Sequence, residues 1–254
     1  MSDTFAKRGG RPRVVAAKLR EAILNGDPKP NQKLPPEPVL ATQLGVSRAT
    51  LRQAISQLEA AGLLFRRRGD GTYVSRLPHK ALMTNLSELR GTAEIIASQG
   101  HEPTVVDVTF AVELIEGHIA ALFGDSDSQP SPFLHVSRTW LADGTPVIQC
   151  EEFLPFAIVG HGEELRSDAQ EKSRWSLYAS LRKLGWPASW SLCRVLATNA
   201  DGRLSAVLQV PEGHALLTLH QLHYTDRGLP VLYSENTHRC DMIDVQVVRS
   251  VPWL

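Results

Sequence analysis

The chain has 254 residues, of which 43% are hydrophobic and 21% are charged; this composition is typical of a globular protein and excludes a wholly disordered one. No apolar run reaches the roughly 18 residues that a membrane-spanning helix needs, and the N-terminal MSDTFAKRGGRPR lacks the apolar core of a secretory signal. We therefore expect a cytoplasmic protein that spans no membrane. The cysteines at 150, 193 and 240 are far apart and form no CxxC pair, so we expect no disulfide framework, metal site or cofactor.

The net charge of zero conceals a strong asymmetry along the chain. Residues 1–78 carry 14 Lys and Arg against 6 Asp and Glu, a net charge of +8, and residues 79–254 carry 13 against 21, a net charge of −8. Such a division indicates a nucleic-acid-binding segment joined to a different domain. A chance imbalance of surface charge is the alternative.

The basic segment has the pattern of a helix-turn-helix. Apolar residues at helical spacing predict helices over 13–24 and 37–44, the first of which ends at Asn25-Gly26. Gly45 begins a tight turn, and Ser47 is suited to cap a third helix that runs to about Ala61. Two short helices, a glycine turn and a third helix predict DNA binding through the third helix.

The start of the third helix presents polar residues away from its apolar stripe, and recognition helices contact base edges with this end. The predicted DNA-contacting residues of this helix are Arg48, Ala49, Thr50, Arg52 and Gln53. Arg48 and Arg52 are four residues apart, so both can reach guanine edges or phosphates from one side. An ordinary solvated helix face is the alternative.

A basic hairpin follows directly. Residues 63–68 and 72–74 are predicted strands, joined by the turn Gly69-Asp70-Gly71. Arg67, Arg68 and Gly69 are suited to a close approach to the DNA backbone or minor groove. The hairpin completes a winged helix-turn-helix, so we expect double-stranded DNA as a partner.

The string KLPPEPVLATQLGVSRATLRQAISQLEAAGLLFRRRGDGTYV resembles the winged helix-turn-helix of the GntR family of bacterial transcription regulators, and the resemblance covers about residues 13–75. It implies that Arg48 and Arg52 contact operator DNA, with Ala49 and Thr50 between them, and that Gly69 is the glycine of the wing. The family usually reads LPSER, with an arginine where this chain has a proline at position 38, so the resemblance implies an operator that differs from the family's common core sequence.

The predicted domains are a winged helix-turn-helix at 10–76, a linker at 77–85 and an effector-binding and dimerisation domain at 86–254. In the last of these, helices alternate with antiparallel hairpins, which indicates an α+β domain. The predicted helices are 86–98 (capped by Asn85), 116–123, 175–184 and 201–208, and the predicted strands are 104–112, 133–142, 147–154, 192–198, 216–224 and 231–239.

Strand alternation places Arg138 on an apolar face, together with Leu134, Val136 and Trp140. A guanidinium in a protein core needs a partner, because unpaired buried charge is costly. Two partners fit: an internal carboxylate such as Glu151 or Glu235, or an anionic ligand held by two parallel hydrogen bonds. An arginine whose head group extends out to solvent is the other alternative.

Two further features are compatible with a small polar ligand. Val231, Tyr233, Glu235, Thr237 and Arg239 share a strand face, which either binds a ligand or carries the paired polar groups of a half-exposed strand. The predicted helix start near Ser87, with Arg90 one turn further, offers backbone N–H groups that favour an anion.

The segments SRTWLADGTPVIQCEEFLPF, WSLYASLRKLGW and GLPVLYSENTHRCDMIDV resemble the effector-sensing (UTRA) domain of the HutC branch of GntR regulators. The resemblance implies a chorismate-lyase-like fold, an antiparallel sheet with flanking helices, and effector contacts from Arg138, Ser176, Tyr178 and Tyr233. It also implies a homodimeric repressor, which binds a pseudo-palindromic operator and is released by a small effector.

Two positions depart from the sugar-phosphate sensors of this branch. Trp140 stands where they commonly have a second arginine, and Cys150 stands where they commonly have a glutamate. The closing HRCDMIDV is more similar to regulators of phosphonate utilisation, which implies a phosphonate, phosphate ester or similar anion. The expected effector residues are Ser87, Arg90, Arg138, Trp140, Glu151, Ser176, Tyr178, Tyr233 and Glu235.

Two other functions compete with a ligand-responsive regulator. An enzyme is disfavoured, because the sequence has no GxSxG, Walker or HExxH motif, His220 and His223 face opposite sides of a strand, and Cys150 fits a core thiol. A DNA-binding protein with an inert dimerisation domain is the other alternative, and the position of Arg138 on an apolar strand face argues against it.

Overall fold

The structure is a computed structural model that describes residues 12–24, 26–76, 86–124, 130–171 and 175–247. Its backbone contacts divide the chain into two compact units, residues 1–88 with 246–254 and residues 89–245. The expected helix stop at Asn25, the expected cap at Asn85 and the expected linker at 77–85 lie outside the described residues, and the domain boundaries remain predictions. In the described part of the chain, no helix is long and apolar enough to cross a membrane.

The first unit is a winged helix-turn-helix, as predicted. Its elements are α1 (Pro12–Leu24), α2 (Glu37–Leu44), α3 (Arg48–Ala60), β1 (Leu64–Arg67) and β2 (Gly71–Val74). Gly45 ends α2 in the left-handed conformation with φ of 65°, which glycine adopts without steric cost. The Ser47 hydroxyl accepts a 3.1 Å hydrogen bond from the Thr50 N–H and so caps α3.

A segment of the proline-rich loop joins the wing and was predicted only as loop. The backbone N–H of Asn31 donates to the carbonyl of Val74 at 2.9 Å, and that of Leu34 donates to Thr72 at 2.8 Å. These bonds fasten the loop before α2 to the outer strand of the hairpin. The unit's core is a cluster of apolar side chains from all three helices and the hairpin, among them Val15, Leu19, Leu40, Leu51, Ile55, Leu58, Leu63 and Val74.

The second unit is an α+β domain built on a six-stranded antiparallel sheet, as predicted. The strands are β3 (Pro103–Ile115), β4 (Ser131–Ala142), β5 (Thr145–Pro155), β6 (Trp190–Asn199), β7 (Ala215–Tyr224) and β8 (Pro230–His238). Their order is β3-β4-β5-β8-β7-β6. Asp143 and Gly144, both with positive φ, form the two-residue turn between β4 and β5.

The helices of the second unit differ from prediction at two places. They are α4 (Thr92–Ser98), α5 (His118–Leu122), α6 (Phe156–Val159), α7 (Glu163–Glu171), α8 (Leu177–Lys183) and α9 (Gly202–Leu208). The predicted helix start at 86–88 is wrong: these residues form a turn, and α4 begins only after Gly91, whose ψ of 145° is extended. Helices α6 and α7 were not predicted; α6 has four residues, and α7 has only Leu165 and Ala169 as apolar residues, which are too few to mark a helix in sequence.

The register of the sheet defines two faces. Arg138 lies opposite Cys150, and Cys150 lies opposite Asn236; we call their side the Arg138 face. Glu151 lies opposite Glu235 on the other side, which we call the Tyr233 face because Tyr233 shares it. Helices α4, α7 and α8 pack on the Arg138 face, and α9 packs on the Tyr233 face.

Candidate nucleic-acid interface and ligand site

The start of α3 is exposed, as the helix-turn-helix pattern predicts. Arg48, Ala49, Arg52 and Gln53 lie in solvent and Thr50 is half-buried. The opposite side of the helix is in the core, with its apolar stripe at most 3% exposed. The hydrophobic stripe therefore fixes which side chains of α3 can meet another molecule.

A carboxylate that the sequence analysis missed connects α3 to the wing. Glu37, at the start of α2, accepts a 2.6 Å bond from Arg52 Nε and lies 3.6 Å from Arg66 Nη2 in β1. Arg66 Nε also lies 2.9 Å from Glu59 Oε1. Because Glu37 binds Arg52 through Nε, it orients the guanidinium of a predicted DNA-contacting residue. In the sequence, the one sign of this role was that Glu37 is the acidic residue of the string LPPEP, at the start of the helix-turn-helix.

In the wing, the guanidinium of Arg67 packs against two stacked aromatic rings. Phe65 and Tyr73 stack with ring centroids 5.7 Å apart, and the guanidinium of Arg67 lies 4.4 Å from the Tyr73 centroid. Arg68 is exposed beside Gly69, whose φ of 77° forms the turn. Asp70 accepts hydrogen bonds from Lys33 and from the Tyr73 hydroxyl, and both hold the pKa of its carboxyl below the usual value. The predicted wing residues thus lie together at one exposed edge.

Arg138 is buried, with 4% of its surface exposed, and its guanidinium contacts two indole rings. The centroid distances are 5.6 Å to Trp140 and 4.7 Å to Trp175. Its Nη2 donates to Glu152 Oε1 at 2.7 Å, and Glu152 is 5% exposed. The internal carboxylate is therefore Glu152, and the expectation of Glu151 or Glu235 was wrong, because alternation places both on the other face.

This buried pair retains unused hydrogen-bonding capacity. Nε and Nη1 of Arg138, Oε2 of Glu152 and Nε1 of Trp140 are buried and have no hydrogen-bond partner within the described residues. Buried polar atoms are normally paired, and leaving one unpaired costs about 1–3 kcal/mol. The same face adds buried unpartnered atoms of His223, Asn236 and His238. This face therefore retains buried donors and acceptors that a polar ligand could satisfy.

Burial determines the protonation of the neighbours. It raises the pKa of Cys150 to about 12, so the group is a thiol and not a nucleophilic thiolate. It lowers the pKa of His223 to about 3 and that of His238 to about 4, so both imidazoles are neutral near pH 7. Burial also raises the pKa of Glu152, and the guanidinium of Arg138 opposes this shift. Arg138 and Glu152 carry the charge of this cluster.

Trp140 and Tyr178 lie near Arg138, and Ser176 lies at the adjoining helix start; their role in effector binding stays a prediction. The Tyr178 ring is 5.5 Å from His223, and burial raises the pKa of its phenol. The Ser176 hydroxyl caps α8 by accepting from the Ala179 N–H at 3.4 Å. A side-chain carbon placed on Gly91 would lie 3.7 Å from that hydroxyl, so the starts of α4 and α8 adjoin.

The other predicted effector residues are not brought to this cluster. Glu151 accepts hydrogen bonds from His135 and Arg203, both at 2.8 Å, on the Tyr233 face. There the Tyr233 hydroxyl donates to Glu235 at 2.9 Å. These groups already have partners, which supports the paired-strand alternative for this face.

Ser87 and Arg90 lie before α4, and their predicted helix start is absent from the described residues. Ser87 is exposed in a turn of the first unit, and Arg90 is half-buried in the second. The backbone N–H argument for an anion at Ser87 therefore fails, because no helix begins there.

The histidines of β7 face opposite sides, as predicted. His220 lies 3.0 Å from the Tyr233 hydroxyl, and His223 lies 3.1 Å from the Ser234 hydroxyl on the Arg138 face. Among the residues that the structure describes, no group of three or more His, Cys, Asp or Glu side chains is arranged to hold a metal ion.

Comparison with known proteins connects both units to bacterial regulators. Residues 12–74 match bacterial regulatory proteins of the gntR family, and residues 98–244 match the UTRA domain. The chain is 26% identical to the HTH-type transcriptional repressor NagR of Bacillus subtilis, over 89% of each chain. It is 26% identical to the histidine utilization repressor of Pseudomonas putida, over 91% of this chain and 85% of that one.

A solved structure with a similar fold is the possible transcriptional regulator YydK from Bacillus subtilis. Its TM-score is 0.70 at 18% identity, and the match covers 95% of this chain and 99% of that one. At this identity the likeness concerns the fold alone, and it extends over both units.

Proposed function

Because this chain belongs to the GntR family of bacterial regulatory proteins and carries a UTRA domain, we propose that it is a transcriptional repressor released from its operator by a small anionic effector. Family members are DNA-binding transcription regulators, not enzymes. The observation that carries the effector response is the buried pair of Arg138 and Glu152, with its unpartnered polar atoms.

DNA binding is assigned to one surface of the first unit. Arg48, Arg52 and Gln53 at the exposed start of α3 enter the major groove, and Arg67 and Arg68 of the wing contact the backbone or minor groove. The net charge of +8 over residues 1–78 supports this assignment, because phosphate contacts dominate the affinity for DNA.

We assign a homodimer that reads a pseudo-palindromic operator with two recognition helices. Exposed apolar side chains on the two edge strands support a second copy: Leu114 is 70% exposed, Leu192 64% and Val195 51%. An effector that binds one dimer geometry more tightly than another shifts the equilibrium between them, and can thereby change the spacing of the two recognition helices. Such a regulator acts in the cytoplasm.

The effector site is assigned to the Arg138 face. Nε and Nη1 of Arg138 are buried donors on different sides of the guanidinium, and a phosphonate, phosphate ester or carboxylate could accept a hydrogen bond from either of them. Trp140 and Cys150, at positions where sugar-phosphate sensors have an arginine and a glutamate, line the same face and favour an anion other than a sugar phosphate. Tyr178 also lies on the Arg138 face and belongs to the proposed site.

The test combines operator selection with effector release. Selection from random double-stranded DNA gives the operator, and fluorescence anisotropy then measures its release by phosphate, phosphonates, phosphate esters, sulfonates and carboxylates. A ligand at 100 times its Kd also stabilises the protein by about 2.7 kcal/mol, which a thermal shift detects. Release and stabilisation by one chemical class supports the proposal. Stable operator binding that no anion in the panel changes would favour the inert dimerisation domain.

A further inference from the structure

We propose that the effector is a small zwitterion, whose anionic group pairs with Arg138 and whose ammonium group pairs with Glu152. This inference rests on the proposed function, because it assumes that the Arg138 face holds the effector. It adds the second charge of the ligand and assigns Glu152 as the residue that selects it.

The ion pair of Arg138 and Glu152 leaves polar atoms on both side chains without a partner in the described chain. One bond, from Arg138 Nη2 to Glu152 Oε1, joins two side chains that are each at least 95% buried. Nε and Nη1 remain as donors and Oε2 as an acceptor, without other partners in the described chain. A ligand that completes this site must therefore both accept and donate hydrogen bonds.

Ligands of a single charge fit this site poorly. A simple anion would satisfy Arg138 but would bring its charge beside the Glu152 carboxylate and leave Oε2 without a donor. A simple cation would pair with Glu152 but would be repelled by the positive charge of the Arg138 guanidinium. A zwitterion satisfies both groups and matches the zero net charge of the pair.

Among the described residues, the sheet side chains beside the pair on this face add no formal charge, and Asp168 of α7, which packs on the same face, is paired with Lys183. Cys150, opposite Arg138 in the register, is a buried thiol, and His238 on the same face is neutral. The selectivity for net charge therefore depends on Arg138 and Glu152.

The register sets the size of the ligand. Arg138 lies opposite Cys150, and Glu152 is two residues further along β5, so the pair is diagonal. Diagonal neighbours in a sheet are about 7–8 Å apart at Cα, and these two side chains already touch. The ligand's two charged groups must therefore be close together, as in a short amino acid or an aminoalkylphosphonate.

The experiment uses two matched pairs of probes on the full chain. 2-Aminoethylphosphonate is compared with ethylphosphonate, and β-alanine with propionate, by calorimetry and by operator release. In at least one pair the amine-bearing member binds at least about tenfold more tightly, since a hydrogen bond between charged groups is worth about that much. Comparison of the phosphonate pair with the carboxylate pair shows which of the two anionic groups the site prefers.

Variants test the role of Glu152 directly. Glu152→Gln removes the charge, so the amine-bearing probe loses about tenfold in affinity and the amine-free probe gains. Glu152→Asp keeps the charge and the preference. Glu151→Gln, on the Tyr233 face, is the matched control and leaves the preference unchanged. Circular dichroism and operator binding verify that each variant is folded.

The outcomes separate this inference from the proposed function. If amine-free probes release the operator as well as their amine-bearing partners, the zwitterion is overturned and the anionic effector stands. An unchanged preference in a folded Glu152→Gln protein overturns the role of Glu152. If none of the four probes binds, a zwitterion of this size is overturned, and the wider anion panel decides the proposed function.

Discussion

Arg138 and Glu152 form an ion pair inside the second unit, with Nη2 2.7 Å from Oε1, and both residues are at most 5% exposed. Desolvation of both charges opposes such a pair, and the attraction offsets it fully only when the remaining polar atoms are also satisfied. Here they are not satisfied within the described residues. The pair therefore contributes less to stability than its short distance suggests, which is compatible with a binding role.

The first prediction concerns the energetics of this pair. Arg138→Gln leaves Glu152 buried without its partner and destabilises the protein by about 3–5 kcal/mol. The double variant Arg138→Gln with Glu152→Gln recovers a large part of this loss. Chemical denaturation of both variants checks it, and a double variant no more stable than the single one would contradict it.

That single variant should also change the pH dependence of stability. Without the guanidinium, the pKa of the buried Glu152 carboxyl rises further above the value in the unfolded chain. A raised pKa means that stability is retained below the unfolded value, about 4.3, and lost as pH rises through the folded value. The stability deficit of Arg138→Gln is therefore smaller in acid than at neutral pH. An equal deficit at both would contradict this, because it would mean that removing Arg138 does not change the folded pKa of Glu152.

A second pH-dependent group lies on the opposite face of the sheet. Hydrogen bonds from His135 to Glu151, and also to Glu113, raise the pKa of the imidazole above its ordinary value. Its stabilisation is therefore full below about pH 6.5 and is lost as pH rises through the folded pKa. His135→Gln should lower the melting temperature more at acidic than at alkaline pH. A loss that does not vary with pH would contradict this assignment.

Arg52 is predicted to read the operator. Arg52→Ala should weaken specific binding by roughly tenfold to a hundredfold and leave the melting temperature unchanged, because the side chain is exposed. Arg182→Ala, another exposed arginine at the end of α8, is the matched control and leaves binding intact. Retention of full sequence-specific affinity in Arg52→Ala would contradict the role of α3.

The wing is predicted to contribute phosphate contacts. Binding should weaken steeply with added salt, and Arg68→Ala should reduce the slope of log K against log salt by about 1 without changing sequence preference. Anisotropy titrations over a range of salt concentrations measure both quantities. A flat salt dependence would contradict the assignment of the basic hairpin.

The features that could be predicted from the sequence are those that depend on the spacing of apolar residues within a single helix or strand. The helix-turn-helix, the wing and the position of Arg138 on an apolar strand face follow from periodicity along single elements, and all were predicted. The partner of Arg138 depends on which residue of β5 shares its face, and a shift of one residue exchanges Glu151 for Glu152. Trp175 was missed because it reaches Arg138 from a different element.

The most direct test of the account is effector release by wild-type protein and by a folded Arg138→Gln variant on the same selected operator. If Arg138 belongs to the effector site, both proteins bind the operator with similar affinity, and a small anionic or zwitterionic ligand releases only the wild type. Equal release of both proteins by the same ligand would contradict the assignment of Arg138 to the effector site.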